Sequence, residues 1–315
     1  MTGNSLPLKP CRSILSVPGH MVKLHPKAAA GKADVIMLDL EDSVPADKKK
    51  DAREIVSHSL LAIDWQEKTL AVRINSLDTP FAYKDVIQVT EAAGNVIDYI
   101  VLPKIGHAGD IHFLARLLDG IEMEKKIHKK IAIEAAIESA AGLEQVGSIA
   151  RADRRLRSLS FGVADYTASI GAKLVSLSGH GESETAIYPG HRWHYPISRM
   201  VMAAKANGLL AMDAPFGNFK DSKGLENAAA MAAALGCDGK WVIHPDQIEI
   251  VNKAFTPSPE EIGRAKQILD AMSAAGALSQ GAIAVNGQMV DLATARLAER
   301  VWNQARHLGL VEKYH

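Results

Sequence analysis

Eight short apolar runs between residues 12 and 245 constrain this chain more than any other feature. They are "RSILSVPG" (12–19), "DVIMLDLED" (34–42), "LAVRIN" (70–75), "IDYIVLPKI" (97–105), "KIAIEAAIES" (130–139), "LRSLSFGVADY" (156–166), "LLAMDAPF" (209–216) and "GKWVIHP" (239–245). Within each, apolar residues follow one another and do not alternate strictly with polar ones. That is the pattern of a strand buried on both faces of a parallel sheet. Helical periodicity fills the spaces between. Ala52, Ile55, Val56, Leu60 and Ile63 fall on one helical face, as do Phe113, Leu114, Leu117, Leu118 and Ile121, and Leu143, Val146, Ile149 and Ala150. Strand and helix alternating in this way predict an α/β fold, a (β/α)8 TIM barrel. An open doubly wound sheet usually has fewer strands and a glycine-rich first turn, and no G-x-G-x-x-G follows the first run.

The pattern changes after the eighth run. Ser258, Pro259 and Glu261 have the spacing of an N-cap, an N1 proline and an N3 glutamate, a capping box that starts a helix. "AIAVNGQMV" (282–290) sets Asn-Gly between apolar arms, a strong hairpin signal, and a last helix follows from about Asp291. The sequence therefore predicts a catalytic barrel over residues 1–254 and a C-terminal helix–hairpin–helix appendage over 255–315, serving as lid and oligomerisation element.

Lys+Arg and Asp+Glu both number 36, so formal net charge is zero. That balance argues against nucleic acid or an anionic membrane as the main partner. Cys11 and Cys237 are the chain's 2 cysteines, too few for a disulfide framework, and they read as core or interface thiols in a reducing compartment. The N-terminal stretch has no apolar signal-peptide core, and no run is long enough to span a bilayer. A cytoplasmic location is expected.

In a parallel barrel the active site lies at the C-terminal ends of the strands. Those ends carry the chain's conspicuous polar residues: Asp39, Glu41 and Asp42, then Arg73 and Asn75, Lys104, Glu138, Asp165, Asp213 and His244. Glu138 and Asp165, from neighbouring runs, can share a proton or hold a cation. Oxygen ligands alone favour Mg2+, with Mn2+ as a substitute, over zinc. His191 and His194 are three apart in a proline-flanked stretch, a weak zinc signal. Arg73 is either an internal ion-pair partner for Asp39 or Asp42, or a fixed guanidinium facing a substrate oxyanion. Lys104 is either a Schiff-base lysine or a partner for the carboxylates of the second run. Asp291 is either a helix N-cap or an acid/base on a mobile lid.

Taken in order, "RSILSVPG", "ADVIMLDLEDSV", "VRINSLDTPF", "LPKIG", "IESAAGL", "SFGVADYTASIGA", "DAPFGNFKD", "GKWVIHPDQI", "AFTPSPEE" and "NGQMVD" resemble the HpcH/HpaI-type, citrate lyase β-subunit-like aldolases. The resemblance is greatest to malyl-CoA, β-methylmalyl-CoA and citramalyl-CoA lyases. It implies that Glu138 and Asp165 ligate Mg2+ and that Arg73 contacts the reacting carbonyl. It implies that Asp291 is the acid/base, supplied by a neighbouring subunit of a homo-oligomer, a trimer or hexamer. It places the CoA ester on Ser16, Lys27, Ala164, Ile243 and His244, beside Arg73. Asp39, Glu41, Asp42 and Lys104 then support the reacting groups. Residues 171–195 match those lyases poorly and lie after the sixth run, at the mouth.

The expected activity is Mg2+-dependent cleavage of a malyl-CoA-type ester to a 2-oxo acid, such as glyoxylate or pyruvate, and an acyl-CoA. The alternatives are a malyl-CoA thioesterase on the same scaffold, a carrier-protein-dependent lyase subunit, and a non-catalytic CoA binder.

Overall fold

A computed structural model of the chain describes residues 9–173, 192–274, 282–285 and 288–311. These fall into two compact units, one running from Cys11 to Lys253 and one containing Ala254–His315. His191, the Asn286-Gly287 turn and most of the segment 171–195 lie outside the described residues.

The first unit is a closed parallel barrel whose strands follow chain order. They are β1 Ser13–Pro18, β2 Val35–Asp39, β3 Thr69–Arg73, β4 Tyr99–Leu102, β5 Ala132–Ile137, β6 Leu156–Phe161, β7 Leu210–Asp213 and β8 Gly239–Val242. β1 pairs with both β2 and β8, which closes the ring and leaves no open edge. Surrounding helices include Lys49–Ala62, Ala82–Ala93, Ala108–Glu124, His194–Ala206 and Ser222–Leu235. β2 shows why the runs had to be continuous, because all of its residues are buried. Alternate side chains face the barrel interior and the helices, and both environments are dry. Val35 and Met37 join Ile14, Ala71, Tyr99, Val101, Met212 and Trp241 in the interior cluster. Each fully buried aliphatic side chain of this kind contributes roughly 1.5–3 kcal/mol.

Strand register sets up the mouth. Asp39 at the end of β2 pairs with Arg73 at the end of β3, so the two charges stand abreast. Between β5 and β6 the register skips a residue, pairing Ile133 with Leu156 but Glu134 with Ser158. Arg157 is the extra residue of this bulge, and its guanidinium lies 4.4 Å from the Tyr99 ring centre. Both cysteines are buried free thiols, and Cys11 accepts a hydrogen bond from Arg157.

Several sequence expectations need correction. Asp165 does not end the sixth strand; β6 stops at Phe161, and Asp165 sits in the first turn of a helix, Val163–Ser169. Gly162 makes the change of direction between them. Asp213 does not present its carboxylate to the mouth, because it is fully buried in an ion pair with Lys240, 2.5 Å away. Asn75 is buried too, bonded to Asp85 and to the Leu40 carbonyl. Phe113 is exposed, and Ile111 and Ala115 take the inner face of their helix alongside Leu114 and Leu118. No helix among the described residues is long and apolar enough to cross a membrane.

In the second unit the expected capping box is present. The Glu261 N–H donates to Ser258 Oγ, and the Ser258 N–H donates to Glu261 Oε2, at the start of the helix Pro259–Ala274. The hairpin pairs β9 Ala282–Val285 with β10 Gln288–Asp291 in antiparallel register. The last helix is Leu292–His307, and Ala265, Ile268, Val290 and Ala298 form this unit's own small core.

Candidate active site

The mouth of the barrel holds a cavity of about 210 Å3. Its lining brings together Ser16 from β1, Asp42 after β2, Arg73 from β3, Glu138 after β5, Ala164 and Asp165 after β6, and Ile243 after β8. Seven side chains expected at a site thus share one cavity, although they are spread over more than two hundred residues of chain.

The charges around this cavity form a connected chain. Arg73 donates from Nε and Nη2 to the two oxygens of Asp39, each at 2.6 Å, a bidentate fork. Its Nη1 lies 3.2 Å from Glu41 Oε2. Glu41 Oε1 accepts from Lys104 Nζ at 2.6 Å, and the same ammonium lies 3.3 Å from Asp42 and 3.5 Å from Asp165. Asp39 is further held by N–H groups of Glu41 and Ser43 and by the Ser43 hydroxyl. Burial alone would raise its pKa, but Arg73 and these donors outweigh it and hold the carboxyl below its ordinary value. Arg73 and Lys104 are disfavoured as cations by burial, yet Asp39 and Glu41 respectively reverse this and keep both protonated. These ion pairs disfavour the free amine that a Schiff base at Lys104 needs. Of its two readings, the ion-pair partner is the one realised.

Glu138 is placed by backbone geometry. Lys104 takes a positive φ of 53°, a region that favours glycine, and in that conformation its N–H donates to Glu138 Oε1 at 2.6 Å. On the other side, a Cβ at Gly162 would come within 2.2 Å of Glu138 Oε2, so only glycine leaves room for this carboxylate. Burial, with Glu41 and Asp165 close by, pushes Glu138 up to about 8. The site thus gathers five carboxylates (Asp39, Glu41, Asp42, Glu138 and Asp165) against two cations, Arg73 and Lys104. With Glu138 raised to about 8 the excess of negative charge is smaller near neutral pH, and a hard divalent cation on these oxygen donors would favour the ionised form of Glu138. No cluster of three or more His, Cys, Asp or Glu with metal-binding geometry occurs among the described residues. Mg2+ does not require one, since it commonly takes one or two carboxylates and fills its octahedron with water and substrate oxygens.

Of the other expected residues of the barrel unit, Lys27 and His244 do not line the cavity. Lys27 is exposed on a short helix, His25–Ala30, and does not line the cavity. His244 caps the turn after β8 and stacks on Phe219 with ring centres 4.9 Å apart. Asp291 is the N-cap of the last helix, where its Oδ1 accepts from the Thr294 N–H at 2.8 Å. These N-terminal donors hold its carboxyl below the usual value. His194 is exposed at the start of its helix.

Trp241, Gly162 and the backbone of Lys104 were not singled out by the sequence reading. Trp241 lines the cavity, and its ring centre lies 5.6 Å from Arg73 Cζ. Period-2 alternation puts it on the same face as Ile243, which was a usable signal.

Comparison with known proteins follows the same geometry. The family model described as HpcH/HpaI aldolase/citrate lyase matches residues 12–245. An L-malyl-CoA/beta-methylmalyl-CoA lyase of Cereibacter sphaeroides is 41% identical over 308 residues, covering 96% of this chain and 97% of that protein. A malyl-CoA/beta-methylmalyl-CoA/citramalyl-CoA lyase of Chloroflexus aurantiacus is 35% identical, with 96% and 90% covered. Among solved structures, CitE of Mycobacterium tuberculosis in complex with magnesium, acetoacetate and coenzyme A superposes with a TM-score of 0.76 at 30% identity, covering 96% of this chain and 100% of that one.

Proposed function

Because the chain belongs to the HpcH/HpaI aldolase/citrate lyase family, we propose that its barrel mouth reversibly cleaves a malyl-CoA-type ester to a 2-oxo acid and an acyl-CoA. The enzyme class is carbon–carbon lyase, as in the relatives. Malyl-CoA, β-methylmalyl-CoA and citramalyl-CoA are the candidate substrates, with glyoxylate or pyruvate as the 2-oxo acid.

One observation carries the reading. Three carboxylates, Asp42, Glu138 and Asp165, and one cation, Arg73, line a cavity meant for a substrate that is itself a carboxylate, and Asp39 already neutralises that cation. Such a site repels its substrate unless a cation is added. Glu138 and Asp165 are the residues that would hold Mg2+ or Mn2+, and the bound ion would supply Lewis-acid polarisation of the substrate's carboxylate and hydroxyl oxygens.

The chain's own residues do the rest. Asp39 takes up two of the five N–H donors of Arg73, and Glu41 lies 3.2 Å from Nη1, so Arg73 keeps donors for substrate. We assign those donors to the hydroxyl oxygen that becomes the carbonyl of the 2-oxo acid, where they balance its charge as the O–H proton passes to solvent water. The carbon–carbon bond breaks, and its electron pair passes into the enolate of the acyl-CoA. That carbon must then gain a proton. We assign this transfer to Asp291 of a second copy of the chain, acting as acid in cleavage and base in condensation. Ser16, Ala164 and Ile243 border the space for the thioester, and Lys27 and His244 are the residues for the CoA moiety beyond it.

A product assay on a panel of hydroxyacyl-CoA esters tests this. The expected products are acyl-CoA and a 2-oxo acid. Free CoA with a hydroxy diacid would make the protein a thioesterase, and inertness towards every free CoA ester would remove the proposal.

A further inference from the structure

Beneath the mouth, the barrel interior contains a carboxylate that the reaction does not use. Glu134 lies on β5, and period-2 alternation puts it on the same inward face as Ala136 and Glu138, both of which line the cavity. It is 1% exposed. A carboxylate in such a place is costly unless its bonds serve something. Its Oε2 accepts from Ser158 Oγ at 2.7 Å, which the bulge in β6 makes possible. Its Oε1 accepts from the indole N–H of Trp241 at 3.1 Å. That indole ring in turn lies 5.6 Å from the Arg73 guanidinium carbon, within cation–π range.

We propose that Glu134 is a positioning residue: by holding the Trp241 indole from below, it fixes the plane on which Arg73 rests. Asp39 fixes Arg73 along its edge through the bidentate fork. The fork alone leaves the guanidinium free to tilt about the line of the two bonds, and Glu41, 3.2 Å from Nη1, constrains only one corner of it. The ring face removes that freedom, but only if the ring itself cannot rotate. A rotation about χ2 of Trp241 would break the Glu134 bond at the nitrogen. The kinetic consequence rests on the lyase reading; the structural linkage does not.

The test therefore has two arms. In protein labelled with 15N-arginine, the Arg73 Nε–H resonance is identified by its loss in Arg73→Lys. Glu134→Leu should shift that resonance while leaving that of Arg53, which bonds to Gln88, in place. Glu134→Gln keeps an acceptor for the indole and should move the resonance back towards its wild-type position. An unmoved Arg73 signal in Glu134→Leu overturns the proposal, whatever the protein's activity. In the kinetic arm, Glu134→Leu and Trp241→Phe should each lower kcat roughly ten- to a hundredfold with KM near its wild-type value, the scale of a small misplacement of a reacting group. The double variant should be no slower than the worse single one, and Glu134→Gln should recover most of the loss. A purely structural Glu134 would lower Tm and leave kcat intact, and independent roles would make the two losses multiply; either result overturns the proposal. Should Glu134→Leu not fold, Trp241→Phe, which keeps a ring but removes the N–H, carries both arms, and an unchanged kcat there is equally fatal. If the wild-type protein cleaves no ester, the functional reading fails and the resonance arm alone decides this one.

Discussion

Of the two roles that its position in an apolar strand allowed, the ion pair is the one Arg73 displays, and its place at the cavity is what the proposed contact with substrate rests on. It is an ion-pair partner of Asp39 and Glu41, and it lines the cavity with donors to spare. Lysine would keep the charge but lose the planar fork. Arg73→Lys should therefore lower kcat by about 10²–10³, the cost of losing a transition-state donor. A variant altered only in KM would mean that Arg73 merely holds substrate. Lys104 is set among Glu41, Asp42 and Asp165 and stays protonated, so borohydride in the presence of substrate should trap no adduct; mass-spectrometric detection of one on Lys104 would refute the ion-pair role. The charged residues of the mouth were legible in the sequence because each interrupts or ends an apolar run. What was not legible is how they are held. Nothing in "LPKIG" announces that Lys104 takes a positive φ and turns its N–H to Glu138, nor does "SFGVADY" say that Gly162 is small because Glu138 needs the space.

At the scale of elements, eight strands were legible because burial on both faces demands continuous apolar sequence. Their ends were less so. The run 156–166 stays apolar past the last paired residue, since Val163 and Tyr166 are buried again as the inner side of a helix, and periodicity alone does not separate the two. Phe113 misleads for a different reason: its neighbours Ile111, Leu114 and Ala115 already fill the inner face. That same helix, Ala108–Glu124, is tied to the barrel by a buried ion pair. Glu122 accepts from both Nη atoms of Arg155 at 2.6 Å, from Lys130 at 2.7 Å and from the Ile131 N–H at 2.9 Å. Arg155→Met leaves the buried Glu122 with only the Ile131 N–H and the exposed Lys130, and should cost roughly 3–5 kcal/mol. Burial would raise the Glu122 pKa, but its donors hold it below its ordinary value. A depressed carboxyl stabilises the fold fully above its unfolded pKa of about 4.3, and the benefit is lost as pH falls through the lower folded value. Urea unfolding should thus show a wide gap between wild type and Arg155→Met at neutral pH, narrowing in acid. A gap that stays constant would mean the carboxylate contributes nothing as an ion.

At the scale of the whole molecule, motifs with a fixed order over nearly the entire chain pointed to the family, whereas no single cluster would have done so. The sequence could not say where the second unit acts, because an Asp at the head of a helix satisfies capping and catalysis equally. Asp291 does cap its helix through Thr294. Asn caps about as well, so Asp291→Asn should fold and bind CoA ester yet fail to exchange the acetyl-CoA methyl protons with solvent. Mixing Asp291→Asn with Glu138→Gln subunits should restore activity if the acid/base comes from a neighbouring copy. Demonstrated subunit exchange with no activity regained would place the catalytic proton donor elsewhere. The central claim, carbon–carbon cleavage dependent on a cation held by Glu138 and Asp165, has its most direct test in the products formed from malyl-CoA before and after EDTA. The account predicts acetyl-CoA and glyoxylate, none after chelation, and full recovery on adding Mg2+. Undiminished cleavage in EDTA, after the metal content is verified as nil, would contradict it.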